Sequence, residues 1–241
     1  MQVRFNSIDG RLSHCKPDRL HSCRARVSAW VVGLCLLLTS CADAMKFSES
    51  VRPGPVFIPT NYAGDRALPV SLRRVLVLPV HGGQVADIET STGLDTILLS
   101  TLQKKNRFEL VNVSREEIQR RFGQPDFSSA SVLPHGFLEE LGRAYGAEGV
   151  LFVDVTVYNP YPPLAVGFRA KLATIADVRL IWTFDETISA SNPAVINSVQ
   201  QAGRKERSSR LPLDMTDGMF QSPRRFAAFA ADAMFGTLPP R

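Results

Sequence analysis

Apolar residues recur along this chain in two periods, and the switches between them mark its elements. Arg73-Arg74-Val75-Leu76-Val77-Leu78-Pro79-Val80 is a continuous apolar run bounded by charge and by Gly82-Gly83. Such a run predicts a strand buried on both faces. From about Thr92 to Lys105 the period lengthens, so that Leu94, Ile97, Leu98, Thr101 and Leu102 share one helical face. Lys104 and Lys105 fall in its last turn, where cations complement the helix dipole. Phe108 to Val113 predicts a second strand, running into Ser114-Arg115-Glu116-Glu117, a capping box that opens a short helix with Ile118 and Phe122 inward. A loop follows, and Pro134 starts the next helix in a first-turn position. Leu138, Leu141 and Tyr145 form the inner stripe of that helix, and Gly146 closes it.

The most apolar stretch comes next. In Val150 to Tyr158, Leu151, Val153, Val155 and Val157 line one face, while Phe152, Asp154, Thr156 and Tyr158 line the other. Asn159-Pro160-Tyr161-Pro162-Pro163 cannot extend a ladder, because prolines lack the donor. A second long strand is predicted from about Phe168 to Phe184, with half-buried alternation. Asp154 and Arg179 then sit on neighbouring strands, in position to pair across the sheet. Ala194 to Gln200 is a last strand candidate, and Gly203 to Gln221 a polar, basic loop with Arg204, Lys205, Arg207 and Arg210. Ser222-Pro223 caps a final helix with Phe226, Phe229, Ala230, Ala233 and Met234 on one side. The predicted order is β-α-β-α-α-β-β-β-α. It describes a single α+β domain over residues 73–241, with a mixed, largely antiparallel sheet covered by helices.

The leading residues obey different rules. Arg24 and Arg26 precede a 12-residue apolar run, Val27 to Leu38, which is too short to span a bilayer needing about 20 residues. Residues 1–40 therefore read as a secretory signal peptide. Its end, Leu38-Thr39-Ser40-Cys41, resembles the bacterial lipobox, with cleavage between Ser40 and Cys41 and acylation of Cys41. A chance cysteine after an ordinary signal peptide is the alternative. The four cysteines are Cys15, Cys23, Cys35 and Cys41, so processing leaves Cys41 alone and no disulfide framework. Ala42, in the position where aspartate favours inner-membrane retention in such lipoproteins, points to the outer membrane. Residues 41–72, carrying Pro53, Pro55 and Pro59, read as the lipidated N-terminus and a flexible tether. Val56-Phe57-Ile58 could dock its end on the domain.

Charge narrows the field further. Residues 1–40 hold six of the 28 Lys/Arg and two of the 23 Asp/Glu, leaving the processed chain with 22 against 21, a net of +1. That balance offers no electrostatic case for nucleic acid. His81-Gly82-Gly83 resembles an oxyanion-hole loop, but no Gly-x-Ser-x-Gly elbow accompanies it. No Cys/His set has structural-zinc spacing and no glycine loop carries a phosphate-binding lysine, so no metal or cofactor is expected. Tyr158, Tyr161, Pro162, Pro163 and Leu164 form a stiff amphipathic link, the candidate partner-binding segment.

Val75 to Pro79, Phe108 to Ser114 running into Glu117-Ile118, and Leu141-Gly142-Arg143-Ala144-Tyr145-Gly146-Ala147-Glu148-Gly149-Val150-Leu151 together resemble one periplasmic domain family. It includes the curli-secretion channel lipoprotein CsgG, the penicillin-binding-protein activator lipoprotein LpoB and the N-terminal domain of TolB. The resemblance spans about residues 75–200. It implies a non-catalytic binding, assembly or activator module for another envelope protein, to which the lipobox adds a hold on the bilayer through acylated Cys41. A homo-oligomeric secretion-channel subunit and an envelope hydrolase are the alternatives. Neither the Asn159–Gly167 link nor the Asp185–Pro193 link is long enough for the added membrane hairpins a channel requires.

Overall fold

The computed structural model describes residues 54–207, 218 and 220–241. Its elements run β1 (Tyr62–Gly64), β2 (Arg74–Val77), α1 (Ile88–Lys105), β3 (Glu109–Asn112), α2 (Arg115–Phe122), α3 (Phe137–Tyr145), β4 (Gly149–Asn159), β5 (Ala165–Thr174), β6 (Leu180–Ser189), α4 (Pro193–Arg207) and α5 (Pro223–Gly236). The strands form one sheet in the order β1-β6-β5-β4-β2-β3. Pairing is parallel across β4-β2-β3 and antiparallel from β4 out to β1. This is the α+β domain with a mixed, largely antiparallel sheet that the patterning predicts.

Strand alternation divides the core in two. Val75 and Val77 of β2 join one apolar cluster, Leu76 and Leu78 the other. α1 covers the first face with Leu94, Leu98 and Leu102, together with Phe226, Ala230 and Met234 of α5. Ile118 of α2 and Phe137 and Leu141 of α3 cover the second. Local chemistry sets the helix ends. Asp87 accepts from the Thr90 N–H at the start of α1, and Asn106 takes the left-handed conformation at its end. Ser114 accepts from the Glu117 N–H, as the capping box requires. Gly146 closes α3 at φ 60°.

Several expectations are corrected. The predicted strand from Phe168 to Phe184 is a hairpin, β5 and β6, turning through residues 175–179. Val178 adopts φ 49° there, and Thr174 donates its N–H to Arg179 O at 2.9 Å. The alternation ran through unbroken because a bulge opposite Leu172 and Ala173 offsets the change of parity made by the turn: Ala173 pairs with Leu180, yet Leu172 still faces Trp182 across the hairpin. Ala194 to Gln200 is helical, not a strand. Asn192 accepts from the Ala194 N–H and Pro193 opens α4, while buried Val195 and Val199 suit either period. The residues read as a loop from Gly203 therefore begin within α4; residues 208–217 lie outside the described set.

α3 starts at Phe137, not Pro134. Gly136 is left-handed at its N-cap, and the overlooked Phe137 is its most buried aromatic. A bulge at Thr156 advances β4 by one residue, so Tyr158 turns toward the first core cluster and Val157 toward solvent, the reverse of the predicted faces. The second half of the 41–72 tether is bound to the body. Phe57 N–H donates to Ser198 Oγ at 2.7 Å, β1 pairs with β6, and Leu68 and Leu72 are buried.

Candidate functional site

β2 continues past its last ladder residue as Leu78-Pro79-Val80-His81. The His81 N–H donates to Val153 O, and the Val155 N–H donates to His81 O, each at 2.9 Å. The chain then turns sharply. A Cβ on Gly82 would stand 2.3 Å from Ala86 O and Ser91 Oγ, and Gly83 sits at φ 55°. This end of the parallel strands is where open α/β sheets bind ligands, because successive connections leave to opposite faces. Here α1 leaves β2 on one face, and α2 and α3 leave β3 on the other.

The crevice is filled by charge. Arg115, the first residue of α2, is 8% exposed. Its guanidinium donates from Nε to Asp95 Oδ2 at 3.0 Å, from Nη1 to Asp126 Oδ2 at 2.6 Å and from Nη2 to Val80 O at 2.7 Å. Asp95 Oδ1 also accepts from the Val80 N–H at 2.7 Å. Asp126 Oδ1 meets His81 Nδ1 at 2.6 Å. Burial lifts the Asp95 carboxyl above the ordinary aspartate range, against the pull of the Val80 N–H and the Arg115 guanidinium. The cavity beside it, lined by Val77, Val80, Leu98, Asn112 and Phe235, has a volume of about 10 Å³. That is room for one water, not for a substrate.

A buried carboxylate holds the segment between α2 and α3. Asp154, 4% exposed, accepts from the Ser128 and Ser129 hydroxyls and the Ser129 N–H at 2.8 to 3.1 Å. Lys171 Nζ donates to Ser129 O at 2.7 Å. Residues 123–136 thus form a strap pinned at Asp126, Ser128 and Ser129, with Phe127 packed between Phe122 and Phe137. Replacing Asp154 with asparagine leaves one hydroxyl or amide donor facing an NH2 group and is expected to cost about 1–3 kcal/mol. Amide exchange at residues 126–131 should accelerate more than exchange in α1. Equal acceleration in both would dismiss the strap's local role.

The expected Asp154–Arg179 pair does not form. Arg179 lies at the hairpin turn and bridges Asp65 at 2.7 Å, while Arg169, beside Asp154 in register, bridges Asp185 at 2.8 Å. Of the link residues, Tyr161, Pro162 and Pro163 are exposed and Tyr158 is half-buried. Leu164, expected as a partner contact, is instead buried in the core. Ser40 and Cys41 lie outside the described residues. Arg204, Lys205 and Arg207 lie on α4; Arg210 is outside the described set. Asp95, Arg115 and Asp126 escaped the sequence reading, although one cue existed. A cation in the first helical turn opposes the dipole and needs tertiary partners.

Among the described residues, no group of three or more His, Cys, Asp or Glu is placed to hold a metal, and no helix is long and apolar enough to cross a membrane. No protein-family model matches the chain, and no curated protein sequence matches it. Among solved structures it is similar to lipoprotein GNA1162 from Neisseria meningitidis, at 18% identity over 58% of this chain and 99% of that one, TM-score 0.39. It is similar to the LpoB C-terminal domain from Salmonella enterica, at 18% identity over 48% of this chain and 82% of that one, TM-score 0.32. TolB from Acinetobacter baumannii matches at 12% identity over 65% of this chain and 33% of that one, TM-score 0.30.

Proposed function

We propose that this chain is an acyl-anchored lipoprotein of the bacterial outer membrane, facing the periplasm, whose body binds another envelope protein as a non-catalytic assembly or activator module. One observation carries the reading: Leu38-Thr39-Ser40-Cys41 ends a 12-residue apolar run behind two arginines, and Cys41 is the last cysteine in the chain. A diacylglycerol thioether with further acylation gives the stable anchoring that a single chain cannot. Two features of the body support the non-catalytic part. The ligand-binding end of its parallel strands is closed by Arg115 and its carboxylates. Tyr161, Pro162 and Pro163 meanwhile stand exposed on a stiff link.

Mass spectrometry of the mature N-terminal peptide is expected to find Cys41 first in the chain and carrying acyl mass, and Cys41→Ser is expected to abolish both the acyl mass and the cleavage after Ser40. A bare Cys41 in the wild-type protein, or normal cleavage of the variant after Ser40, would overturn the acyl anchor. The binding role is tested by a photo-crosslinking residue at Tyr161 in intact cells. Recovery of one discrete envelope adduct supports it, and a crosslink pattern no different from that of a residue placed at Val132 does not.

A further inference from the structure

The arm that leads into β1 has an unusual surface. From Pro53 to Gly64 the sequence carries no charged residue. Side-chain exposure alternates along it. Phe57 turns inward against the core, while Val56 and Ile58 turn outward and are 44% and 68% exposed. Tyr62, on β1, is 47% exposed. The arm is held from beneath: Phe57 N–H donates to Ser198 Oγ, Asn197 Nδ2 donates to Pro55 O at 3.2 Å, and the Thr60 and Asn61 N–H groups donate to Glu186 Oε2 at 2.8 and 3.2 Å. The outward side chains are therefore presented, not merely loose.

β1 is the outermost strand of the sheet, where natural proteins place charge, and an exposed apolar segment running uncharged into such an edge marks a contact surface. We infer that the stripe Val56, Ile58 and Tyr62 is a membrane-contact face, seated in the headgroup region of the bilayer that holds Cys41. The inference rests on the acylation of Cys41. Twelve residues separate Cys41 from Gly54, so covalent geometry alone keeps the start of the arm within about 45 Å of the acylated sulfur. These are the first apolar side chains the body offers on leaving the anchor. The absence of charge spares them the cost of desolvating ions, and tyrosine is at home at the membrane interface.

Acylation blocks the only cysteine of the processed chain, so an introduced one takes a nitroxide label alone. The lipidated full-length protein carrying Ile58→Cys, reconstituted in phosphatidylethanolamine/phosphatidylglycerol vesicles, is compared with Val132→Cys, which is 98% exposed on the strap. The label at 58 should lose accessibility to an aqueous nickel chelate severalfold relative to the label at 132 and gain accessibility to oxygen. Adding Val56→Ser and Tyr62→Ser should return it to the aqueous values. An acylated protein whose label at 58 matches that at 132 overturns the stripe while leaving the anchor intact. Protection at 58 that persists in detergent and scales with protein concentration assigns the stripe to a second copy of the chain, and also overturns it. A bare Cys41 by mass spectrometry removes both readings together.

Discussion

Replacing Arg115 with methionine is expected to cost about 3–5 kcal/mol of folding stability, the range for breaking a buried ion pair from one side. Methionine fills much of the same volume but leaves the Asp95 and Asp126 carboxylates facing each other and Val80 O without its side-chain donor. The loss should depend on pH, with a definite sign. Burial already holds the Asp95 carboxyl above its ordinary range, so the folded state binds that proton more readily than the unfolded chain does. Stability linked to it is fully present below the ordinary aspartate pKa and is lost as pH rises through the folded one. Without the guanidinium that opposes this shift, the deficit of the variant is largest near neutrality and shrinks toward about pH 4. Urea midpoints at both pH values check it. A deficit that is flat with pH would mean the carboxylates find other compensation. Arg115→Met combined with Asp95→Asn and Asp126→Asn should recover most of the loss, since replacing a whole buried ionic cluster is often close to neutral.

Trp182→Ala is expected to cost a similar amount, about 3–5 kcal/mol, through a cavity rather than a charge. The indole is 1% exposed and lies opposite Leu172 on β5. Its ring centroid is 6.3 Å from that of Phe184 and 6.4 Å from that of Phe235 on α5, and its Nε1–H donates to Thr237 Oγ1 at 3.1 Å. Removing it therefore empties the junction of three elements at once. Trp182→Phe should lose less, about 1–2 kcal/mol, because most of the apolar volume remains and one hydrogen bond goes. Thermal unfolding of the two variants separates the contributions. If alanine and phenylalanine cost the same, the hydrogen bond to Thr237 outweighs the packing.

The parts of this fold that were legible in the sequence are those where one period fits and the other does not. The Val75–Val80 run, the Leu94–Leu98–Leu102 stripe and the alternation of Leu151 to Val155 against Phe152 each admit a single reading, and all three sit where that reading puts them. Val195 and Val199 are separated by four, which serves a helix turn and an alternating strand equally, and only Asn192-Pro193 distinguishes them. The β5–β6 turn was hidden because the bulge beside it restores the alternation that the turn by itself would break. The charged cluster was hidden for a different reason. Asp95, Arg115 and Asp126 stand on α1, α2 and the strap, and each alone resembles an ordinary solvated residue. Their meeting depends on the parallel crossover that brings the ends of β2 and β3 together, a long-range property that no local window contains.

The sheet's topology also sets an order of assembly. β4, β5 and β6 form a meander with short links, whereas Val75 on β2 pairs with Gly149, 74 positions later. Loop closure over that distance is slow and entropically costly, so the meander condenses early and β2 threads between its partners near the end. Leu172→Ala should therefore slow refolding, while Val75→Ala should chiefly hasten unfolding, a contrast that stopped-flow chevrons resolve. In a chain emerging N-terminus first, the run from Val75 to Val80 appears long before the strand that shelters it. During that delay it is the segment a chaperone would have reason to hold.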